Sequence, residues 1–442
     1  MTAISGWGRY PILETELISP RTADALRHAV RQGDQAIARG NGRAYGDAAI
    51  GVRQTIATSH LDRMRAFDPA TGQVTLEAGV LLSDLIATVL PRGFFPQVVP
   101  GTSLITVGGA IAADVHGKNH HCEGGFGQYV EALQLALPSG DVVRASRDQH
   151  PDVFGATIGG MGLTGTILEA TIRLRPVETG WIRQRTIVAD NLGAAIAALD
   201  GSDGVTYSVA WIDCLAKGAS LGRSLIFLGE HATLDELDDR QRANRFPLRK
   251  PPLSVPADAP SFVLNHWTVA AFNELYFRAG RRKAASSMLV PAHPYFFPLD
   301  ALGDWNRIYG RRGFVQHQCV LPVRTARATL TEMLDRIARR GGSSFLAVLK
   351  KLGEGSGALS FPMAGYTLAL DFPIKPDLFS FLDELDELVV AAGGRLYLAK
   401  DARQSRATFE AGYGDLVGFR EVRRTVDPTA KITSRLAARL GL

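Results

Sequence analysis

The stretch VTLEAGVLLSDLIATVLPRGFFPQVVPGTSLITVGGAIAADVHG (74–117) carries the reading of the fold. Its first residues close a two-strand unit, MRAFDPATGQVTLEAG (64–79), built around a D-P-A-T-G turn. VLLSDLIATVLPRG (80–93) follows as an apolar helix that Pro91 and Gly93 bring to a stop. PGTSLITVGGAIAADVHG (100–117) then reads as a loop, a glycine pair and a short helix of small residues. Gly108 and Gly109 at a helix start leave backbone N–H groups free and let a ligand come close, which suits a phosphate. The spacing predicts that this helix runs from Val107 to near His116, with Gly117 as its terminating residue.

Two more glycine-rich turns flank it in sequence. GNGRAYGD (40–47) follows the strand-like AIARG (36–40). Its spacing is G-x-G-x-x-x-G, and AAIGVRQTIATSH after it is not an amphipathic helix, so both features count against a dinucleotide fold of the βαβ kind despite Asp62 downstream. Arg43, Tyr45 and Asp47 put a cation, an aromatic and a carboxylate beside backbone that a ligand can approach. FGATIGGMGLTGTI (154–167) leads into the alternating strand GTILEATIRLRPV. Three such turns, each flanking a strand, point to one long phosphate-bearing ligand crossing several loops.

The totals narrow the class. At 442 residues the chain is long enough for two to three domains, roughly, and 46% hydrophobic with 21% charged residues is a globular balance. A net charge of +5 makes no case for nucleic acid. Cys122, Cys214 and Cys319 are odd in number and scattered, which suggests no disulfide framework. The sequence shows no signal peptide pattern and no apolar run of membrane-spanning length, so a cytoplasmic location is expected. TADALRHAVRQG (22–33) reads as a helix capped by Thr22, and VEALQLALPSGDVVRAS (130–146) as a hairpin. From 179 to 394 the character changes to strand-like FVQHQCVLP, SSFLAVLKKLG and GYTLALDFP between two longer helix patterns. From 395 to 442 the chain is helix-rich and polar.

The PGT…TVGGAI…HG pattern resembles the FAD-binding domain of the vanillyl-alcohol oxidase (PCMH) type of flavoenzyme. GRAYGD, DVHGKNHH, WNRIYGRRGFVQHQ, LSFPMAGYTLALDFPIK and LYLAKDAR resemble, in order and over nearly the whole chain, the decaprenylphosphoryl-β-D-ribose oxidase family. The resemblance implies an α+β fold with an FAD-binding domain (1–178), a substrate domain on an antiparallel sheet (179–394), and a segment (395–442) returning to the first. It implies oxidation of the 2-hydroxyl of a polyprenylphosphoryl ribose to a 2-keto intermediate, the first half of epimerisation to an arabinose donor for the cell envelope. A short-chain reductase partner and peripheral contact with the inner face of the plasma membrane come with it.

HGKNHHC (116–122) admits three readings. A metal site through His116 and His120 at i, i+4 needs a helix through Gly117 and Asn119, and lacks the Glu of H-E-x-x-H. A polar turn is the bland alternative. The preferred reading, which follows the resemblance, turns His116 and Lys118 toward flavin and substrate, with no metal. The resemblance further implies Lys400, Gln318 and Tyr45 as catalytic. Cofactor contacts are expected at Arg39, Gly40, Asn41, Gly42, Arg43, Ala44, Tyr45, Gly46, Asp47, Gly101, Thr106, Val107, Gly108, Gly109, Ala113, Asp114, Val115, His116, Ile167, Tyr397 and Lys400. Substrate contacts are expected at Trp211, Tyr295, Asn306, Gln316, Lys350, Thr367 and Ala369.

The 40–47 turn has no histidine for a flavin bond, so FAD is expected to be non-covalent. In GYTLALDFP, Thr367 and Ala369 stand where mycobacterial members have Asn and Cys, which alters pocket polarity. RANRFPLRK (242–250) and the Pro-rich run after it read either as a flexible surface loop or as a mobile lid whose basic and apolar residues meet anionic lipid headgroups. An aldonolactone or alditol oxidase acting on free sugars is the alternative function, and a non-catalytic flavin binder a further one.

Overall fold

The computed structural model describes residues 1–249, 251–260, 263–284, 286–341, 346–414 and 416–442. Lys250 of the basic run therefore lies outside the described residues.

The N-terminal part forms two sheets. In the smaller, strands run in the order Thr2–Ile4, Leu13–Ile18, Gln54–Ala57, Ala36–Arg39, with parallel pairing on both sides of Gln54–Ala57. Helix Ala23–Gln32 covers it. The Thr22 hydroxyl accepts from Ala25 N, and Leu26, Ala29 and Val30 turn inward at helical spacing. The second sheet is antiparallel and centred on the long strand Thr166–Pro176, flanked by Gln73–Glu77 and Val130–Ala136. Helix Leu82–Val89 buries Leu82, Leu85, Ile86 and Val89 beside it, then tightens into a 3-10 turn containing Pro91 and ends at left-handed Gly93 (φ 81°).

The third sheet has eight strands, in the order Met288–Pro291, Trp181–Ala189, Ser224–His231, Tyr207–Ile212, Ala347–Leu352, Gly365–Pro373, Phe314–Pro322, Arg395–Leu396. One face carries Ala210, Ile212, Cys319, Leu321, Leu349, Leu368, Leu370 and Phe372. It is sealed by helices Leu192–Asp200, Val323–Arg340 and Leu378–Ala391. Strand alternation sends the intervening residues to the opposite face, which helix His266–Lys283 covers in part by packing Phe277 on Leu225 and Trp211.

The C-terminal segment crosses back. Phe409, Tyr413, Leu416, Phe419 and Leu436 pack against Ile37, Ala156 and Leu163 of the N-terminal part. Ala36 N donates to Lys431 O, and Thr433 N to Ala36 O. Arg439 holds Asp47 (2.8 Å) and Asp401 (2.9 Å), tying the first glycine turn to the returning chain. No helix among the described residues is long and apolar enough to cross a membrane.

Two expectations are corrected. The helix after the glycine pair spans Val107–Ala112 and stops there, well short of His116, and Gly117 does not terminate it. Asp114 takes a left-handed φ (37°), and its buried carboxylate accepts from Gly127 N and Ser360 Oγ, which pulls the chain out of the helix. The 242–249 stretch is docked. Asn244 O accepts from Trp181 Nε1, Arg245 O accepts from Gly180 N, and Phe246 packs on the cluster around Phe95 and Phe296.

Candidate active site

A cavity of about 760 Å³ lies between the glycine turns and the open face of the eight-stranded sheet. Its two walls are built differently.

The first wall is backbone. Gly40, Asn41, Gly42, Arg43, Ala44, Gly101, Thr106, Gly108, Gly109, Ala113, Val115 and Ile167 line it. Gly40 lies so close to the helix start that an added Cβ would stand 2.2 Å from Thr106 Oγ1. That hydroxyl is engaged in capping Gly109 N (3.1 Å), so the turn and the helix start interlock. Gly42 takes φ +62°, a conformation that an L side chain adopts at a cost. Among the described residues, the backbone N–H groups of Asn41, Gly42, Arg43 and Ala44 donate to no protein acceptor. A row of free amides on a turn suits a phosphate or pyrophosphate. The helix start beside it adds no free donor, contrary to the sequence expectation, because Val107 N donates to Val80 O, Gly108 N to Ala78 O and Gly109 N to Thr106 Oγ1.

The second wall is side chains, and sheet register sets it. Gln318 lies opposite Ala369, Ala369 opposite Val348, and Val348 opposite Trp211, a single row across four strands. Two residues along, Thr367 pairs with Lys350; two residues the other way, Gln316 pairs with Asp371. Residues i and i+2 share a face, so all of these point at the cavity side. Gln318, Ala369, Val348, Trp211, Lys350 and Gln316 line it directly.

Charge in this space is one-sided. Lys118, Lys350 and Lys400 all line the cavity with His116 and Arg43. Burial pushes Lys350 down to about 8. Burial, with Lys350 nearby, pushes Lys118 down to about 7. Lys118 Nζ donates to Tyr295 O and stands 4.1 Å from the centre of that ring. Lys400 Nζ sits 3.6 Å above the Tyr45 ring. Burial also lowers Lys400, while the Asp371 carboxylate opposes that shift. Asp371 is fully buried and raised by burial, and accepts from Gln316 Nε2 (2.6 Å) and Tyr309 Oη (3.2 Å).

His116 is held well below its ordinary value by burial, then by Lys350, His120 and Lys400. Gln318 Nε2 lies 3.1 Å from His116 Nε2 and 3.2 Å from Thr367 Oγ1. With Gln318 donating, the imidazole hydrogen belongs on Nδ1, which has no protein partner. Tyr397 lines the cavity too, stacked on Phe361 (4.5 Å) with its hydroxyl on Ala113 O. His120 and His121 turn away, accepting from Gly353 N and facing Val205 O respectively. Among the described residues no group of three His, Cys, Asp or Glu could share a metal.

Several residues expected at the ligand stand behind the wall. Arg39 donates to Ser5 O and Ala49 O. Gly46 permits close approach of Asp401 O, Asp47 pairs with Arg439, and Val107 is core. Asp114 shapes the turn described above, Asn306 fixes Trp7 O (3.1 Å), and Thr367 supports Gln318. These residues hold the wall-forming chain and do not line it. Sequence reasoning missed Asp371, Trp7, Val209, Phe227, Phe272 and Tyr276, of which all but Asp371 line the cavity. Alternation from Ala369, Trp211 and Lys350 would have found Asp371, Val209 and Val348. Nothing in the sequence marks Phe227 or Trp7.

A family model described as FAD binding domain matches residues 18–146. The chain is 39% identical to decaprenylphosphoryl-β-D-ribose oxidase of Mycolicibacterium smegmatis, over 99% of this chain and 97% of that one. It is 37% identical to an uncharacterized protein of Streptomyces coelicolor, over 82% of this chain and all of that one. L-gulonolactone oxidase of Mus musculus is 31% identical over only 38% of this chain and 39% of its own length.

Proposed function

Because the chain belongs to the decaprenylphosphoryl-β-D-ribose oxidase family of FAD-dependent oxidoreductases, we propose that it oxidises the 2-hydroxyl of a polyprenylphosphoryl-β-D-ribose to the 2-keto sugar. One observation carries the substrate class. Lys350 stands on the sheet wall with Trp211 and Phe227, beside Phe272 and Tyr276 of the neighbouring helix, which suits a phosphoryl group carrying an apolar tail. A free sugar or lactone would leave both features without a use.

Bound FAD supplies a hydride acceptor for the carbon-bound hydrogen. The residues that suit it are the free amides of Asn41 to Ala44, which fit its pyrophosphate, with Gly108 and Gly109 leaving room beside them. Lys400 provides a fixed positive charge on the cofactor side, steadied by the Tyr45 ring and the Asp371 carboxylate. His116, kept neutral and held by Gln318, lines the cavity and helps to shape the place of the alcohol being oxidised. Lys118, lowered to about 7 by burial and Lys350, can accept the hydroxyl proton near neutral pH, whereas the Asp371 carboxylate favours the charged form of Lys400. Lys350 holds the anionic end of the substrate.

We assign residues 1–178 with 395–442 to cofactor binding and 179–394 to substrate binding. FAD is held without a covalent bond, so acid should release all of it from the polypeptide. A short-chain reductase completes the epimerisation, and the enzyme works as a peripheral protein at the inner face of the membrane that holds its substrate. Anaerobic mixing with a polyprenylphosphoryl riboside should bleach the flavin and yield one ketone per flavin. Bleaching by free ribose or aldonolactones at equal rates would overturn the substrate assignment.

A further inference from the structure

The helix His266–Lys283 has apolar residues on two faces. Its inner face is ordinary: Val269 and Phe277 are buried, and Phe277 packs with Leu225 and Trp211. Its outer face is not. Trp267 is 79% exposed, Leu275 69%, Phe272 44% and Tyr276 38%. Positions 267, 272, 275 and 276 lie on the outward half of the helix, together with Ala271, Ala279 and the polar Thr268, Arg278 and Arg282. Single exposed apolar residues need no explanation, but an aromatic-rich stripe does.

The stripe is continuous with the cavity. Phe272 and Tyr276 line it, and the Tyr276 ring lies 4.9 Å from Trp211 of the substrate wall. Exposed Met288, just beyond the helix, pairs in the sheet with Gln184, another lining residue. The final turns are basic. Arg278 pairs with Glu274, and Arg281 lies 3.8 Å from Asp190. Arg282 and Lys283 form no ion pair among the described residues.

We propose that this outer face rests on an anionic bilayer and passes the lipid tail of the substrate along Phe272 and Tyr276 into the cavity. The proposal rests on the polyprenylphosphoryl reading above. Trp and Tyr favour the headgroup boundary, and basic residues beside an apolar stripe add attraction to anionic lipid. The stripe leads into the cavity and leaves its mouth reachable, which fits a surface that feeds in a chain better than a protein that caps it.

The test uses the FAD-loaded full chain with phosphatidylglycerol-containing vesicles and with pure phosphatidylcholine vesicles. Trp267 and Leu275 lie outside the cavity wall, so Trp267→Ser/Leu275→Ser should bind anionic vesicles at least tenfold more weakly. The same variant should reduce flavin at the normal rate with a water-soluble short-chain phosphoryl riboside. With vesicle-embedded long-chain substrate it should slow by tenfold or more. Arg282→Gln/Lys283→Gln should reduce binding to anionic vesicles only.

Unchanged vesicle binding in the apolar variant would overturn the proposal. So would a dimer that this variant converts to monomer, or a loss confined to binding the reductase, since either would assign the face to protein. If neither short- nor long-chain phosphoryl riboside bleaches the wild-type flavin, the functional reading fails, while vesicle binding still decides the role of the face.

Discussion

The two walls of the cavity hold ligands by different means. The glycine wall works through backbone: the free amides of 41–44, on a turn that Gly40 lets pack closely on Thr106. The sheet wall works through side chains whose neighbours are fixed by strand register, as in the row Gln318, Ala369, Val348, Trp211. A backbone wall can be altered only by changing the path of the chain. A side-chain wall can be retuned one residue at a time, so we propose that cofactor identity resides in the first and substrate choice in the second.

If this division is right, the largest effect comes from the charge that faces both ligands. Lys400→Ala should keep FAD and fold, yet slow flavin reduction by on the order of 10²–10³, the usual loss for one preorganised charge stabiliser. Stopped-flow absorbance at saturating substrate checks this, and normal reduction would remove Lys400 from the chemistry. Next is the backbone wall. Gly42→Ala forces a side chain into φ +62° with its Cβ 2.4 Å from Arg39 Nη2. A strain of about 1–2 kcal/mol predicts roughly five- to thirtyfold weaker FAD binding. The rate in FAD-saturated enzyme should barely move, and a rate loss with unchanged FAD affinity would break the division between walls.

Smaller effects sharpen it. The Asp371 carboxylate raises Lys400 against the lowering by burial. Asp371→Asn should therefore let Lys400 lose its proton at lower pH, moving the alkaline fall in flavin reduction toward acid. An unmoved profile would show that Asp371 only braces Gln316 and Tyr309. Smallest is a fraction of a proton. Lys350 sits at about 8 without an anion, and an anion beside it raises that value. Calorimetry in buffers of different ionisation enthalpy should show proton uptake when a phosphoryl riboside binds near pH 8, and none in Lys350→Met.

The same difference between walls decides what the sequence reveals. The glycine wall was legible in part because its turns are local: GNGRAYGD places its free amides within a few residues, whereas the amides of TVGGAI are taken up by Val80, Ala78 and Thr106. Even there the helix end was misjudged. Asp114 leaves the helix for partners at Gly127 and Ser360, contacts that no local pattern encodes. Lys350, Gln318 and Ala369 were reached through resemblance, since their meeting depends on pairing among strands far apart in sequence. Asp371 was missed although it stands two residues past Ala369, where strand alternation alone would place it on the same face. The 242–249 stretch looked free because its restraints, Trp181 and Gly180, are distant in sequence.

The central claim is that the sheet wall selects a phosphoryl group as well as a ribose. Anaerobic flavin reduction should be compared for two short-chain ribosides that share one prenyl tail, one joined through phosphate and one through a neutral ether. The account predicts reduction at least a hundredfold faster per unit concentration for the phosphoryl compound, with the gap collapsing in Lys350→Met. Equal rates for the two compounds in the wild-type enzyme would contradict it.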